Sequence, residues 1–190
     1  DVALLSRVPV YSATSYQYQQ HPLPSGTRVR FSRDFLHVRL RPEGFPELHV
    51  FTLHAPSRLG GEYSEARRVT EAKLAAAILR EQFAHNSNVW IVIGGDFNDG
   101  DGSPSLNVFT SIPGVPMRRV PAFDAKGSPF TWMSAGSAYQ PATLDHLLVS
   151  AAAARYLATP RGGGADDPRL AAEASDHRPV YIDLRRPARR

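Results

Sequence analysis

The chain contains no cysteine. Thiol nucleophiles, zinc–thiolate sites and disulfide frameworks are thereby excluded. Lysine is nearly absent too: only Lys73 and Lys126 occur, so 20 of the 22 basic residues are arginine. No apolar run exceeds six residues, far short of the roughly 20 needed to span a bilayer as a helix. Runs that short suit buried strands.

What is present is ordinary for a soluble globular protein: 190 residues, 42% hydrophobic and 21% charged. That length predicts a single domain over residues 1–190, with a core large enough to need no covalent staple. Net charge is only +4 although the sequence pI is about 9.7. The arginine excess has two readings. One is a composition bias towards Arg, Ala, Gly and Pro; the other is phosphate binding, which suits the planar guanidinium fork.

Val2 to Leu5 reads as a buried strand ended by the turn-forming Pro9. A core strand so early is the pattern of a piece whose upstream part is missing, so no targeting signal is legible. Residues 11–26 read as polar and irregular, broken by Pro22, Pro24 and Gly26. Val29 and Phe31 alternate with arginines, and Leu36, Val38 and Leu40 alternate with His37, Arg39 and Arg41, the period of half-buried strands. Leu48 to His54 predicts another strand, joined by a hairpin loop at 42–46.

After Gly60-Gly61 the spacing of Val69, Ala72, Ala76, Leu79 and Phe83 predicts one long helix over 62–85, with Glu62 and Glu65 at its positive end. Val89 to Ile93 is continuously apolar, as in a strand buried on both faces. The stretch from 104 to 141 carries six prolines and reads as loop with one short strand near 130–132. Strands at Leu144–Val149 and Val180–Leu184 follow, separated by a Gly162-Gly163-Gly164 loop. There are no internal repeats. Many strands and one clear helix predict a mixed α+β sandwich.

Three polar clusters stand where apolar strands begin or end, the places where such folds set their sites. Asp96-Phe97-Asn98 follows the buried strand, and Gly94-Gly95 let the backbone turn sharply there. Asp145 lies inside the apolar Leu144–Val149 segment. A buried carboxylate there costs several kcal/mol, order of magnitude, without a cationic or hydrogen-bonding partner, and a histidine would serve. Asp176-His177, within Ser175-Asp176-His177-Arg178-Pro179, opens the last strand. Each cluster alone also reads as an ordinary turn, exposed strand face or capped loop. His54, at a strand end, gains weight only from their company.

The order Gly-Asp-Phe-Asn at 95–98, Leu-Asp-His at 144–146 and Ser-Asp-His-Arg-Pro at 175–179 resembles the endonuclease/exonuclease/phosphatase superfamily, with its deoxyribonuclease I-like fold. Ala3-Leu4-Leu5-Ser6-Arg7, His54 and Thr131-Trp132 extend the resemblance along nearly the whole chain. It implies a two-sheet sandwich and metal-dependent hydrolysis of a phosphate ester, a phosphodiester in first place. On that resemblance Asp96 orients or deprotonates the attacking water and Asn98 holds a phosphate oxygen. His177, oriented by Asp145, contacts the scissile phosphate, and His54 is a second phosphate-contacting histidine. Asp176 lies near the divalent metal, Mg²⁺ or Mn²⁺, and Trp132 packs at the substrate site.

The family also carries an Asn and a metal-binding Glu on strands upstream of the Leu-Leu-Ser-Arg region, and no residue here is assigned to either role. The resemblance thus implies weakened metal binding by this piece and a sheet lacking its first strands. Within the family the substrate is a nucleic acid, a lipid phosphodiester or a small phosphoester. Arg28, Arg30, Arg39, Arg41, Arg58 and Arg67 form either a backbone-tracking basic surface or a solvated arginine face. A non-catalytic binding module on the same fold is the alternative function. The loop from Ala158 to Ala174 borders Asp176-His177 and is expected to gate or select substrate. Oligomeric state and compartment are not legible.

Overall fold

A computed structural model describes residues 2–22, 26, 28–133, 140–164 and 175–188. The early strands are β1 (Val10–Thr14), β2 (His21–Pro22), β3 (Arg28–Val29), β4 (Phe35–Leu40) and β5 (Leu48–His54). Helix α1 (Gly61–Phe83) then leads to β6 (Trp90–Asp96). Helix α2 (Pro104–Thr110), β7 (Met117–Val120), β8 (Ala122–Phe123), β9 (Asp145–Ser150), α3 (Ala151–Ala154), β10 (Gly162–Gly164) and β11 (Val180–Tyr181) complete the order.

Six strands form the main sheet in the order β1-β4-β5-β6-β9-β7. Only β5 and β6 pair in parallel, with α1 as their crossover; the other neighbours are antiparallel. Helices α1 and α2 cover one face, where Leu74, Ile78, Leu79 and Phe83 meet Phe35, Phe51, Ile91 and Ile93. On the other face Trp90, Val120 and Val149 pack with Tyr156, Leu157, Ile182 and Leu184. A second sheet, β11-β10-β8, carries the chain into its last strand. The two-sheet mixed α/β sandwich read from the sequence is therefore present. No helix among the described residues is long and apolar enough to cross a membrane.

Several boundaries differ from the sequence reading. Val2 to Leu5 is not a strand: no strand among the described residues pairs with it, and Leu5 is fully exposed. The first strand is β1, inside the segment read as irregular. It is an edge strand with a register shift between Val10 and Ser12 and almost no burial, so it carries no alternating pattern. Pro22 lies within β2, whose partner is β3 alone, the edge position a proline tolerates.

The proline-rich stretch hides α2: Pro104 takes the first helical turn, and Ser103 Oγ caps it by accepting from Leu106 N at 3.4 Å. The strand expected at 130–132 reduces to isolated bridges from Trp132 to Ala142 and to His177. Gly162–Gly164 is a strand between β8 and β11, not a loop, since backbone pairing needs no side chains. The gating role expected of residues 158–174 falls largely on 165–174, which lie outside the described residues.

Candidate active site

The sheet register brings three separate sequence motifs into one row. His54, the last residue of β5, is paired with Asp96, the last of β6, and Asp96 is paired with Asp145, the first of β9. Directly opposed residues on neighbouring strands sit close enough for their side chains to interact. Strand β6 reaches that row only through Gly95, at φ 147°, where a Cβ would stand 2.0 Å from the Leu53 carbonyl oxygen.

Asn98 supports Asp96 from a left-handed backbone conformation (φ 49°), uncommon for a residue with a side chain. Its backbone N–H donates to Asp96 Oδ1 at 2.7 Å, and its Nδ2 donates to Asp96 Oδ2 and to the Ala55 carbonyl, each at 3.0 Å. Both amide protons are thus committed, and the amide holds the carboxylate rather than offering a free donor to the cleft. Burial is the largest influence on Asp96 and raises its pKa to about 6, helped by Asp145 and opposed by the Asn98 N–H, His177 and Arg33. His54 Nε2 lies 3.4 Å from Asp96 Oδ2, yet burial, with the charge of Arg33, lowers the histidine's pKa and favours a neutral ring.

The last motif closes the row. His177 Nδ1 is 2.8 Å from Asp145 Oδ2, and this hydrogen bond raises the imidazole pKa against the effect of burial. Thr131 Oγ1 accepts from both Leu144 N and Asp145 N, while Thr131 O accepts from Arg178 N, so one residue splices β9 to the His177 segment. Arg178 pairs in turn with Asp124 at 3.0 Å. The Trp132 indole N–H donates to Asp176 Oδ2 at 2.8 Å, and Asp176 O accepts from Met133 N. Trp132, Asp176, His177, His54, Asp96 and Asn98 line one open cleft of about 920 Å³, with Arg58 and Leu59 on its wall. Asp145 stands behind His177.

Sequence reasoning missed the residues beneath this row. Arg68 of α1, 6% exposed, reaches Asp99 Oδ2 at 3.2 Å and donates to the carbonyls of Pro56 and Ser57. Ser105 Oγ donates to the same Asp99 oxygen at 2.7 Å, and His146 Nε2 lies 2.8 Å from the Asp99 carbonyl. The loops after β5 and β6 are thus tied to one helix. The only sequence signal was an arginine on the apolar face of α1, a weak one.

A hard cation is the metal class these oxygen donors suit. Among the described residues no group of three or more His, Asp or Glu side chains is placed to hold a metal ion. Magnesium needs only one or two carboxylates when a substrate phosphate and waters supply the rest. The donor set therefore fits an ion that arrives with the phosphate, not one caged by these side chains alone, and Asp176 is a cleft carboxylate with no ion pair among the described residues.

The sequence profile of the Endonuclease/Exonuclease/phosphatase family matches residues 1–112. Among solved structures, magnesium-bound beta toxin from Staphylococcus aureus (F277A, P278A mutant) is similar at 16% identity and TM-score 0.65, over 95% of this chain and 66% of that one. TDP2 of D. rerio, complexed with single-strand DNA product, is similar at 16% identity and TM-score 0.61, over 93% and 68%. Sphingomyelinase C from Streptomyces griseocarneus is similar at 15% identity and TM-score 0.56, over 95% and 63%. The chain thus spans less than two thirds of the beta toxin and sphingomyelinase chains. These likenesses are of fold. No curated protein matches the sequence.

Proposed function

Because the chain belongs to the endonuclease/exonuclease/phosphatase family, we propose that it is a phosphoesterase acting on phosphodiesters at the row His54, Asp96, Asp145 and His177. The observation that carries this reading is the hydrogen-bonded closure of His177 on Asp145 beside the elevated Asp96 carboxylate, in one cleft.

In this reading Asp96, ionised above about pH 6, takes a proton from a water on the cleft floor while Asn98 keeps its oxygens in place. The water oxygen forms the new bond to phosphorus as the ester P–O bond breaks. His177, charged against Asp145, meets a non-bridging oxygen and stabilises the developing charge. Neutral His54 donates its ring N–H to a second phosphate oxygen, and Trp132 packs against the substrate beside Asp176. A divalent cation, Mg²⁺ or Mn²⁺, bound with the phosphate at Asp176 would neutralise its charge.

Substrate class divides between nucleic acid and smaller or lipid phosphodiesters. The DNA product bound to the D. rerio protein supports the first, and the name of the Streptomyces protein supports the second. The basic surface favours neither. Arg39 and Arg41 are bound to Glu47 and stacked on Tyr11, and Arg67 is paired with Glu71, which leaves Arg28, Arg30 and Arg58 unpaired among the described residues.

The test is hydrolysis of bis(p-nitrophenyl) phosphate with Mg²⁺, beside His177→Ala and EDTA controls. Turnover lost in both controls is expected. The second reading, a non-catalytic binding module, draws on the lack of a three-ligand metal group among the described residues. Phosphodiester binding without turnover at saturating Mg²⁺ would establish it instead.

A further inference from the structure

One charged side chain reaches the row from outside it. Arg33 precedes β4, and its Nη1 donates to the carbonyl oxygens of Ala55 at 3.0 Å and His54 at 3.5 Å, where β5 ends. The Ala55 carbonyl also accepts from Asn98 Nδ2 at 3.0 Å, and Ala55 N donates to the Asp96 carbonyl at 2.8 Å. Ala55 is therefore a knot between the ends of β5 and β6, tied from one side by Arg33 and from the other by the amide that orients Asp96. Nothing in the local sequence marks it, because the link runs through a backbone carbonyl.

We propose that Arg33 is a positioning residue of the site: it fixes the carbonyl on which Asn98 is anchored and sets its charge beside Asp96 and His54. Four charged or titratable groups face Asp96: His54 and Arg33 from the β5 side, Asp145 from β9, and His177 from the last motif. Burial and Asp145 favour the protonated acid; His177 and Arg33 favour the carboxylate. Of the two cations only Arg33 stays charged at any working pH. The same charge opposes protonation of His54. One guanidinium thus favours loss of the proton from both neighbours, towards an ionised Asp96 and a neutral His54, the states the proposed chemistry uses. The consequence for turnover rests on the phosphoesterase reading; the placement and the charge effect do not.

The experiment is an NMR titration of the Asp96 carboxyl carbon and the His54 ring in the wild-type chain, Arg33→Gln and Arg33→Lys, which needs no turnover. Removing the charge in Arg33→Gln is expected to raise the Asp96 midpoint by roughly one pH unit and to raise that of His54 as well. Arg33→Lys keeps the charge and is expected to keep both midpoints near wild type. Where phosphodiester turnover is measurable, Arg33→Gln should lose several-fold more at pH 5 than at pH 8. An Asp96 midpoint unmoved in folded Arg33→Gln, or a loss of turnover equal at all pH values, overturns the proposal and leaves Arg33 a structural strut. Arg33→Met serves the same titration if the glutamine chain does not fold. Shifted midpoints without turnover would uphold Arg33 and sink the phosphoesterase reading.

Discussion

His177 and Asp145 lie 32 residues apart in sequence and 2.8 Å apart in space, joined from Nδ1 to Oδ2. The contact engages Nδ1 and fixes how the ring stands at the cleft wall. It also keeps the imidazole charged to higher pH than a free histidine. Asp145→Asn keeps the shape but removes that charge. Turnover of bis(p-nitrophenyl) phosphate is expected to fall by about 10²-fold or more, with the unfolding midpoint little changed. Equal turnover in the variant would remove Asp145 from the mechanism.

Acid dependence follows from Asp96. Its pKa is raised to about 6, so the carboxylate form, the proton acceptor in the proposed mechanism, is lost as pH falls through that value. The log of kcat/KM should therefore drop with unit slope below about pH 6, and should fall again at the higher pH where His177, its pKa raised by Asp145, loses its proton. A limb centred near pH 4, the ordinary carboxylate range, would mean that burial does not control this acid.

Asn98 separates backbone from side-chain roles. Its φ of 49° suits glycine better than alanine, and its amide makes two hydrogen bonds. Asn98→Ala is expected to cost about 1–2 kcal/mol of stability; Asn98→Gly recovers the backbone part of that. Both should lose turnover alike, because both keep the backbone N–H on Asp96 Oδ1 but lack the amide that holds Oδ2. Recovery of activity in the glycine variant, read beside a urea melt, would show that only the turn matters.

Away from the cleft, His37 predicts a stability change with pH. It lies buried in β4, stacked on Phe51 with ring centroids 4.2 Å apart and its Nε2 2.9 Å from His49 Nδ1. Burial, with the charges of His49 and Arg39, lowers its pKa to about 4. Above the ordinary histidine value near 6.5 the ring is neutral folded or unfolded, and nothing is lost. Between about 6.5 and 4 the unfolded chain binds a proton that the folded one refuses, so stability falls by about 2–3 kcal/mol. Urea midpoints of the wild type and His37→Phe at pH 7 and pH 4.5 should show that loss in the former and a smaller one in the latter.

The local pattern of residues determined much of this protein. Three-and-four spacing from Val69 to Phe83 made α1, and the apolar run at 89–93 made the buried strand, because each pattern has one arrangement that hides its apolar side. The order of the three Asp-bearing motifs marked the candidate chemistry through its resemblance to the family, since each motif alone also reads as an ordinary turn, strand face or capped loop. Edge strand β1, helix α2 and the Gly162–Gly164 strand were illegible, since edge pairing, a capped proline turn and glycine backbone pairing leave little periodicity.

Tertiary structure alone decided the row. Register across β5, β6 and β9 sets His54, Asp96 and Asp145 side by side, and register is a relation between strands that no single segment encodes. It alone also brought Arg33 to the Ala55 carbonyl and Arg68 to Asp99, contacts made through backbone oxygens and buried charge that sequence spacing does not foreshadow. Which residues carry charge is written in the chain; how strongly each holds its proton depends on burial and on neighbours that only folding supplies.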